Sequence, residues 1–314
     1  MVKNVSFICP DYYKEFKCIA GECRHSCCIG WEIDIDDKTM EFYNSVDGDM
    51  GCRLSRNIKV GETCSFILGE GERCPFLNDK NLCDIILELG EEHISHICRE
   101  HPRFYNEIGD RCEAGLGLAC EEAARLVLSK KTKTVLIGAE NEPCDDEILT
   151  LRDELIKILQ IREKSIKERL SDVLLLCKTS IPRKSISEWA DFLLSLESID
   201  KLWQEKLSAL KELCEDDGEF REYMTARETE YEQLAVYLIY RHFWVASDMA
   251  DAAARACFAV FGVWLIYALG MCAFLKNGEF SFEEQVELVR MFSSEIEYSE
   301  DNTNALLDEF YIDM

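Results

Sequence analysis

Positive charge is scarce in this sequence: 35 Lys and Arg stand against 61 Asp and Glu, for a formal net charge of −26. So acidic a surface repels nucleic acid phosphates and anionic membranes, so no nucleic acid partner and no stable membrane insertion are expected. It suits a lysine-bearing protein partner, or else only keeps the chain in solution. Residues Met1 to Pro10 hold one Lys and no long apolar run, which does not read as a secretory signal. Internal repeats and low-complexity tracts are missing as well. The paired C-x2-C elements of a zinc ribbon do not occur. Nor does the C-x3-C-x2-C spacing of radical S-adenosylmethionine enzymes: Cys23 and Cys27 have the first gap, but position 30 is Gly30.

What is abundant is cysteine. Seventeen is an odd number, so full pairing within one chain is impossible. With no secretory signal, this favours a reducing cytoplasm, where thiols stay free or bind metal. Cys18, Cys23, Cys27 and Cys28 fall within 11 residues. Residues 1–143 hold twelve cysteines and residues 144–314 hold five. That asymmetry predicts a Cys-rich metal-binding domain over residues 1–129 with little β-structure, a polar linker over 130–143 containing Gly138 and Pro143, and an all-helical domain over 144–314. The fold class expected is mainly α.

Trp31 to Asp36 alternates apolar and acidic residues as a half-buried strand does. Met40, Phe42, Tyr43 and Val46 predict a short helix. Asp47 to Gly71 contains five glycines and predicts loops or a hairpin around Cys64 to Leu68. Asn81 to Cys98 predicts a helix broken near Gly90, with Pro102 as a boundary. Leu116 to Leu128 has helical spacing. Further on, Leu151, Leu155, Ile158, Leu159, Ile166, Leu170 and Val173 recur at three and four, as do Ile186, Trp189, Phe192, Leu193 and Leu196. Ala256 to Leu275 runs 20 residues without a charge, long enough to span a bilayer. Gly262, Gly270, two cysteines and a flank carrying Asp248, Asp251 and Arg255 favour a helix buried on all sides instead.

Metal binding needs several thiolates within a few ångströms of one point, each about 2.3 Å from a zinc ion. Cys18-x4-Cys23-x3-Cys27-Cys28 offers such ligands on one short segment, and Cys74, Cys83, Cys98 and Cys120 complete the set from farther away. Adjacent side chains diverge in a strand or a helix, so Cys27 and Cys28 do not easily serve one ion. Either they serve two centres, or one ligates and the other packs. His25, His93, His96 and His101 can replace a thiolate or hydrogen-bond behind one. Cys144, Cys177, Cys214, Cys257 and Cys272 are expected as buried thiols. Cys9, Cys52, Cys64 and Cys112 fit either role.

These residues, in order, resemble the flagellin lysine-N-methylase family. The likeness runs through Phe16-x-Cys18, Cys23 to Cys27-Cys28-x-Gly30-Trp31, Cys74-Pro75-Phe76-Leu77, Leu82-Cys83, Gly90-Glu91, Cys98-x3-Pro102-Arg103 and Cys120-x-Glu122-x-Ala124-Arg125. It covers the N-terminal 125 residues well and is looser at Tyr237-Leu238-x-Tyr240-Arg241-His242-Phe243. One departure is Glu121 after Cys120, where the family pattern has Pro. The resemblance implies a Cys-rich zinc- or iron-chelating domain and transfer of methyl from S-adenosylmethionine, as cosubstrate, to a lysine of flagellin or another lysine-bearing protein. An amine nucleophile needs no radical, which agrees with the missing radical spacing. Four cysteine ligands suit zinc or an iron–sulfur cluster such as 4Fe–4S.

Arg103 is a candidate partner for the cosubstrate carboxylate or an anionic metal–thiolate centre, or else a surface ion pair. Arg241 and His242 are cosubstrate-binding candidates, or else a satisfied buried polar cluster. Gly69-x-Gly71 and Gly115-x-Gly117 lack the strand–helix setting of a dinucleotide site. Two other functions fit the same residues: a zinc-stabilised protein-binding module, or an iron–sulfur redox protein with Cys64 or Cys112 as reactive thiols.

Overall fold

The computed structural model describes residues 6–138, 146–213 and 217–311. Along the chain the strands are β1 Ser6–Pro10, β2 Asp34–Ile35, β3 Ile58–Lys59, β4 Cys64–Phe66, β5 Arg103–Ile108, β6 Arg111–Leu116 and β7 Leu136–Ile137. The helices are α1 Asp37–Asn44, α2 Gly48–Arg56, α3 Asp84–Leu89, α4 His96–Glu100, α5 Glu121–Ser129, α6 Glu147–Leu159, α7 Ile166–Leu176, α8 Ile186–Ser195, α9 Lys201–Leu210, α10 Gly218–Met224, α11 Glu228–His242, α12 Met249–Asn277, α13 Phe282–Phe292 and α14 Glu300–Tyr311. The molecule is mainly α, as expected. It divides into two compact units. The Cys-rich unit comprises Lys17–Phe104 with Cys120–Glu122, and the helical unit comprises the described parts of Met1–Phe16, Tyr105–Ala119 and Ala123–Met314.

In the Cys-rich unit, β2, β4 and β3 form an antiparallel sheet with Asp34 opposite Ser65 and Ile58 opposite Phe66. Ile33 and Ile35 point inward, as the alternation predicts, although only Asp34–Ile35 is strand. Helix α1 falls where Met40, Phe42 and Tyr43 place it, with the Asp36 carboxylate accepting from Thr39 N at its start. Helix α2 is a correction, because residues 47–71 are expected as loops or a hairpin. Met50 and Leu54, one turn apart, give it a buried face. The glycines that suggest a loop serve packing instead: a Cβ at Gly51 would lie 1.9 Å from Val46 O. The expected break near Gly90 is real. Gly90, at φ 106°, ends α3, and a short turn leads to α4.

The helical unit opens on a sheet of order β5-β6-β1-β7. Strand β1 runs parallel to β6, with Phe7 opposite Cys112, and antiparallel to β7, with Cys9 opposite Ile137. Leu116 ends β6 rather than starting a helix, and α5 begins at Glu121. Within the segment expected as a linker, residues 130–138 are held in this unit. Lys130 Nζ pairs with Asp11 Oδ2 at 2.8 Å, and Thr134 Oγ1 donates to Gln233 Oε1 at 2.6 Å. Residues 139–143 lie outside the described residues.

Helix α12 carries the long uncharged run. Asp248 caps its start, accepting from Ala250 N and Asp251 N, and Gly278 at φ 78° ends it. It is long and apolar enough to cross a membrane, yet most of its residues from Asp251 to Met271 are buried in the protein, as in a core helix. Gly262 marks its closest crossing: a Cβ there would lie 3.0 Å from Leu238 Cδ1 on α11 and 3.1 Å from Phe292 Cζ on α13. Gly262→Leu should therefore overpack two helix crossings at once and destabilise the fold by about 1–3 kcal/mol. A lowered thermal midpoint is the expected result; an unchanged melt would show that this crossing is loose.

Candidate functional site

All eight cysteines expected as ligands fall in the Cys-rich unit. Cys28, Cys74, Cys83 and Cys98 share one apolar core, Cys74 as a member and the other three packed against it. A short antiparallel contact brings two of them together: Cys74 N donates to Cys28 O at 2.8 Å, and Ile29 is bridged to Arg73. A second contact, Leu77 with Cys83, brings in the start of α3. Cys98 enters on α4, whose first N–H, from His96, donates to Asp36 Oδ2 at 2.8 Å. Asp36 therefore holds the starts of both α1 and α4. Burial pushes its pKa up, but the hydrogen bonds from His96 N and from Thr39 outweigh this and bring it down to about 2.

Cys18, Cys23 and Cys120 gather on a separate loop arrangement. Cys18 Sγ accepts from Ala20 N at 3.4 Å. The carboxylate of Glu121, next to Cys120, accepts from Arg24 N and His25 N, both at 3.2 Å. Glu121 is buried and ties the first cysteine loop to Cys120. Cys27 faces both sets, with Cys28, Cys18 and Cys98 around it. Cys27 and Cys28 lie in a turn rather than a strand or helix, and so their side chains hydrogen-bond to each other. That bond raises the Cys27 thiol and, with Ser26 and Arg73 acting against burial, lowers Cys28 to about 7. Burial pushes Cys23 and Cys98 up to about 11 and Cys74 up to about 12.

Among the described residues, no three His, Cys, Asp or Glu side chains converge closely enough to hold an ion. Around the inner thiols, burial raises the pKa values of Cys74, Cys83 and Cys98 and hydrogen bonds oppose it. Backbone N–H groups of Phe76, and of Ile85 and Ile86, bond to Cys74 and Cys83 and favour their anionic forms. The buried Tyr43 hydroxyl, in the same core, has no hydrogen-bond partner among the described residues. The histidines take other positions: His93 stacks on Phe42 at 3.8 Å, His101 packs near Trp31, and His25 and His96 are exposed. Among the other cysteines, Cys9 and Cys257 are buried, Cys64, Cys112, Cys177 and Cys272 are half-buried, and Cys52 is exposed. Cys144 and Cys214 lie outside the described residues.

Arg103 belongs to the Cys-rich unit, where its guanidinium reaches Arg99 O at 3.5 Å. Arg241 and His242 belong to the helical unit, at the end of α11. Their shared partner, which the sequence does not signal, is Glu297. It closes a π-helical turn, Ser293–Glu297, directly after α13, and π turns recur at functional sites. Glu297 Oε1 lies 2.6 Å from His242 Nε2 and 3.3 Å from Arg241 Nε. The Arg241 guanidinium sits over the Tyr298 ring at 5.1 Å, and Phe258 meets the His242 ring edge-on. Burial lowers the His242 pKa despite Glu297, leaving the imidazole neutral at pH 7. Burial raises that of Glu297, but His242 and Arg241 outweigh it and keep the carboxylate charged. A neutral imidazole bonded to a carboxylate through Nε2 leaves Nδ1 as a proton acceptor.

Residues 183–313 match the family model of the FliB lysine N-methylase C-terminal domain. The span includes both Arg241–His242 and the π-helical turn. The flagellar biosynthetic protein FliU of Salmonella muenchen is 27% identical over 135 residues, covering 41% of this chain and 80% of that protein. The lysine-N-methylases of Salmonella typhimurium and Salmonella choleraesuis are each 26% identical over 136 residues, covering 41% of this chain and 34% of theirs. The match thus spans about a third of the curated lysine-N-methylases. No solved structure matches.

Two substitutions test these local arrangements. Asp36→Ala removes the cap shared by α1 and α4 and should cost about 1–2 kcal/mol, read by chemical denaturation at pH 7. Glu297→Gln leaves the Arg241 charge buried without its counter-charge and should cost about 3–5 kcal/mol. Because the folded Glu297 pKa lies below its ordinary 4.5, its contribution is complete above that pH and is lost as pH falls through the folded value. The variant's stability should accordingly fall less steeply on acidification than the parent's; parallel acid limbs would deny Glu297 this role.

Proposed function

We propose that this chain, a relative of the flagellin lysine-N-methylases, methylates lysine side chains of flagellin or another protein with S-adenosylmethionine as methyl donor. The observation that carries this reading is the match of residues 183–313 to the lysine N-methylase C-terminal domain. The reaction forms an N–C bond and breaks the S–C bond of the sulfonium, releasing S-adenosylhomocysteine. A lysine ammonium, with a reference pKa of about 10.4, must first give up a proton. The enzyme therefore has to dehydrate the amine, take its proton and hold it in line with the methyl group. His242, neutral and oriented by Glu297, has the protonation state a proton acceptor needs. Arg241 offers fixed positive charge for the cosubstrate carboxylate, and Arg103 remains a candidate for the same role or for a thiolate centre. A net charge of −26 favours a lysine-rich protein surface as partner.

The same reading assigns a thiolate-bound zinc ion or iron–sulfur cluster to the Cys-rich unit. Cys28, Cys74, Cys83 and Cys98 would form one ligand set, and Cys18, Cys23, Cys27 and Cys120 the other. A bound centre would supply cross-linking of loops, and a cluster would also supply electron transfer. Cys23, Cys27, Cys74, Cys83 and Cys98, whose pKa values are raised, hold their protons at neutral pH, so binding must displace these. A reducing cytoplasm is the setting in which these cysteines remain available.

Incubation with labelled S-adenosylmethionine and folded flagellin from the same source should place label on surface lysines. No incorporation by reduced, metal-replete protein would reject the methyltransferase reading. For the ligand sets, Cys28→Ser should lower metal content and the melting temperature of the loaded protein, with uptake weakening as pH falls. Full metal content and stability in both Cys27→Ser and Cys28→Ser would reject the ligand assignment.

A further inference from the structure

One lysine ammonium of the helical unit sits inside an aromatic box. Lys184, the residue before the Ser185 cap of α8, places its Nζ 5.0 Å from the centroid of the Trp189 ring and 5.3 Å from that of Phe192. The two rings meet edge to face with their planes at 83°, so they form two walls of a corner. The Glu309 carboxylate, from α14, pairs with the ammonium and closes a third side. The aromatic walls are fixed. Trp189 is 2% exposed and packs on Phe261 of α12 and Phe310 of α14, with ring centroids 4.5 and 6.0 Å away. A capping box between Ser185 and Glu188 sets the start of α8. The occupant is held less firmly. The Lys184 and Glu309 side chains are 30% and 22% exposed, and residues 177–185 form no helix or strand. Rotation of the flexible lysine stem is enough to empty the box.

We propose that Trp189, Phe192 and Glu309 form a binding site for methylated lysine, which Lys184 fills in the unliganded chain. Aromatic faces around one ammonium are the chemistry that recognises alkylammonium groups, methylated lysine among them. A partly exposed lysine–carboxylate pair needs no such walls and contributes little by itself. The preference for a methylated ligand follows from competition. Lys184 is tethered beside the box, at an effective concentration of about millimolar. An unmodified partner lysine offers the same ammonium and gains nothing by exchange. N-methylation keeps the positive charge and replaces strongly hydrated N–H groups with methyl groups, so less hydration is given up against the rings. The methylated side chain therefore displaces Lys184 where the unmodified one does not. Lys184, Trp189, Phe192 and Glu309 all fall in the matched span 183–313. The partner's identity rests on the lysine-methylation reading above: the site holds a product lysine of the same partner while another is modified. Binding itself involves no methyl transfer, so the two are tested separately.

The probes are two short peptides that differ only in carrying an unmodified or a trimethylated lysine. Each is titrated into the full chain at constant ionic strength, with binding followed by calorimetry and intrinsic tryptophan fluorescence. The parent should bind the trimethylated peptide about 10-fold more tightly than the unmodified one. As it binds, the ε-methylene protons of Lys184, shielded by the rings, should move back toward ordinary chemical shifts. Lys184→Ala removes the tethered competitor and should tighten binding of the trimethylated peptide about 10-fold further. Adding Glu309→Gln to that variant should reverse much of the gain. Lys184→Gln, which keeps most of the stem without the charge, takes its place if Lys184→Ala does not melt as a folded protein. No saturable binding of the trimethylated peptide by the parent and by a folded Lys184 variant overturns the proposal, and so does equal affinity for the two peptides. Selective peptide binding by a chain that transfers no methyl to flagellin supports the site while rejecting the methyltransferase reading.

Discussion

The helical unit depends on the burial of α11 between its two ends. Every residue from Glu230 to Tyr240 is inside, including two glutamates and a glutamine. A buried charge is tolerated only with a counter-charge and hydrogen bonds, so each polar residue dictates what packs beside it. Glu232 takes Arg162 at 2.7 Å and Arg169 at 2.6 Å, which fixes α7 and the segment before it. Glu230 takes Arg227 at 2.7 Å, and Gln233 takes Thr134. Tyr240 OH donates to Ala114 O at 3.0 Å, joining the helix to β6. At the far end, Arg241 and His242 require Glu297, and the π-helical turn presents it.

The Cys-rich unit solves a different problem. Its apolar core is small, and four of its eight candidate ligands lie in or against that core. Small folds with modest cores commonly need a covalent or metallic staple. Cys28, Cys74, Cys83 and Cys98 lie in or against this core, with backbone N–H groups bonded to Cys74 and Cys83. The turn at Cys27 and Cys28 brings the two neighbouring sulfurs into a hydrogen bond with each other. The two units thus carry different groups: clustered thiols in one, and a neutral imidazole beside a charged carboxylate in the other.

Much of this was legible in the sequence. The helical periodicity from Leu151 onward, the half-buried alternation at Ile33 and Ile35, the break at Gly90 and the buried character of Ala256 to Leu275 all follow from side-chain spacing. The resemblance in cysteine order pointed to a family that the match over residues 183–313 supports from the other end of the chain. Helix α2 was hidden because Gly48 and Gly51 read as loop residues, although Gly51 serves a close contact with Val46. The pair β5 and β6 and the strand β1 escaped because short strands with mixed burial leave little period to read.

The sequence by itself determined composition-level facts: an acidic chain, thiols concentrated before residue 144, and helices with apolar faces. It also named Cys28, Cys74, Cys83 and Cys98 as ligand candidates, and Arg241 and His242 as a polar interruption in an apolar helix. Only the tertiary structure decided which distant groups answer them. Glu297 lies 55 residues from His242, and Asp36 lies 60 residues from the His96 N–H it accepts from. Such pairings depend on how helices cross and where a turn is interrupted. Those are properties of packing, and local spacing carries no record of them.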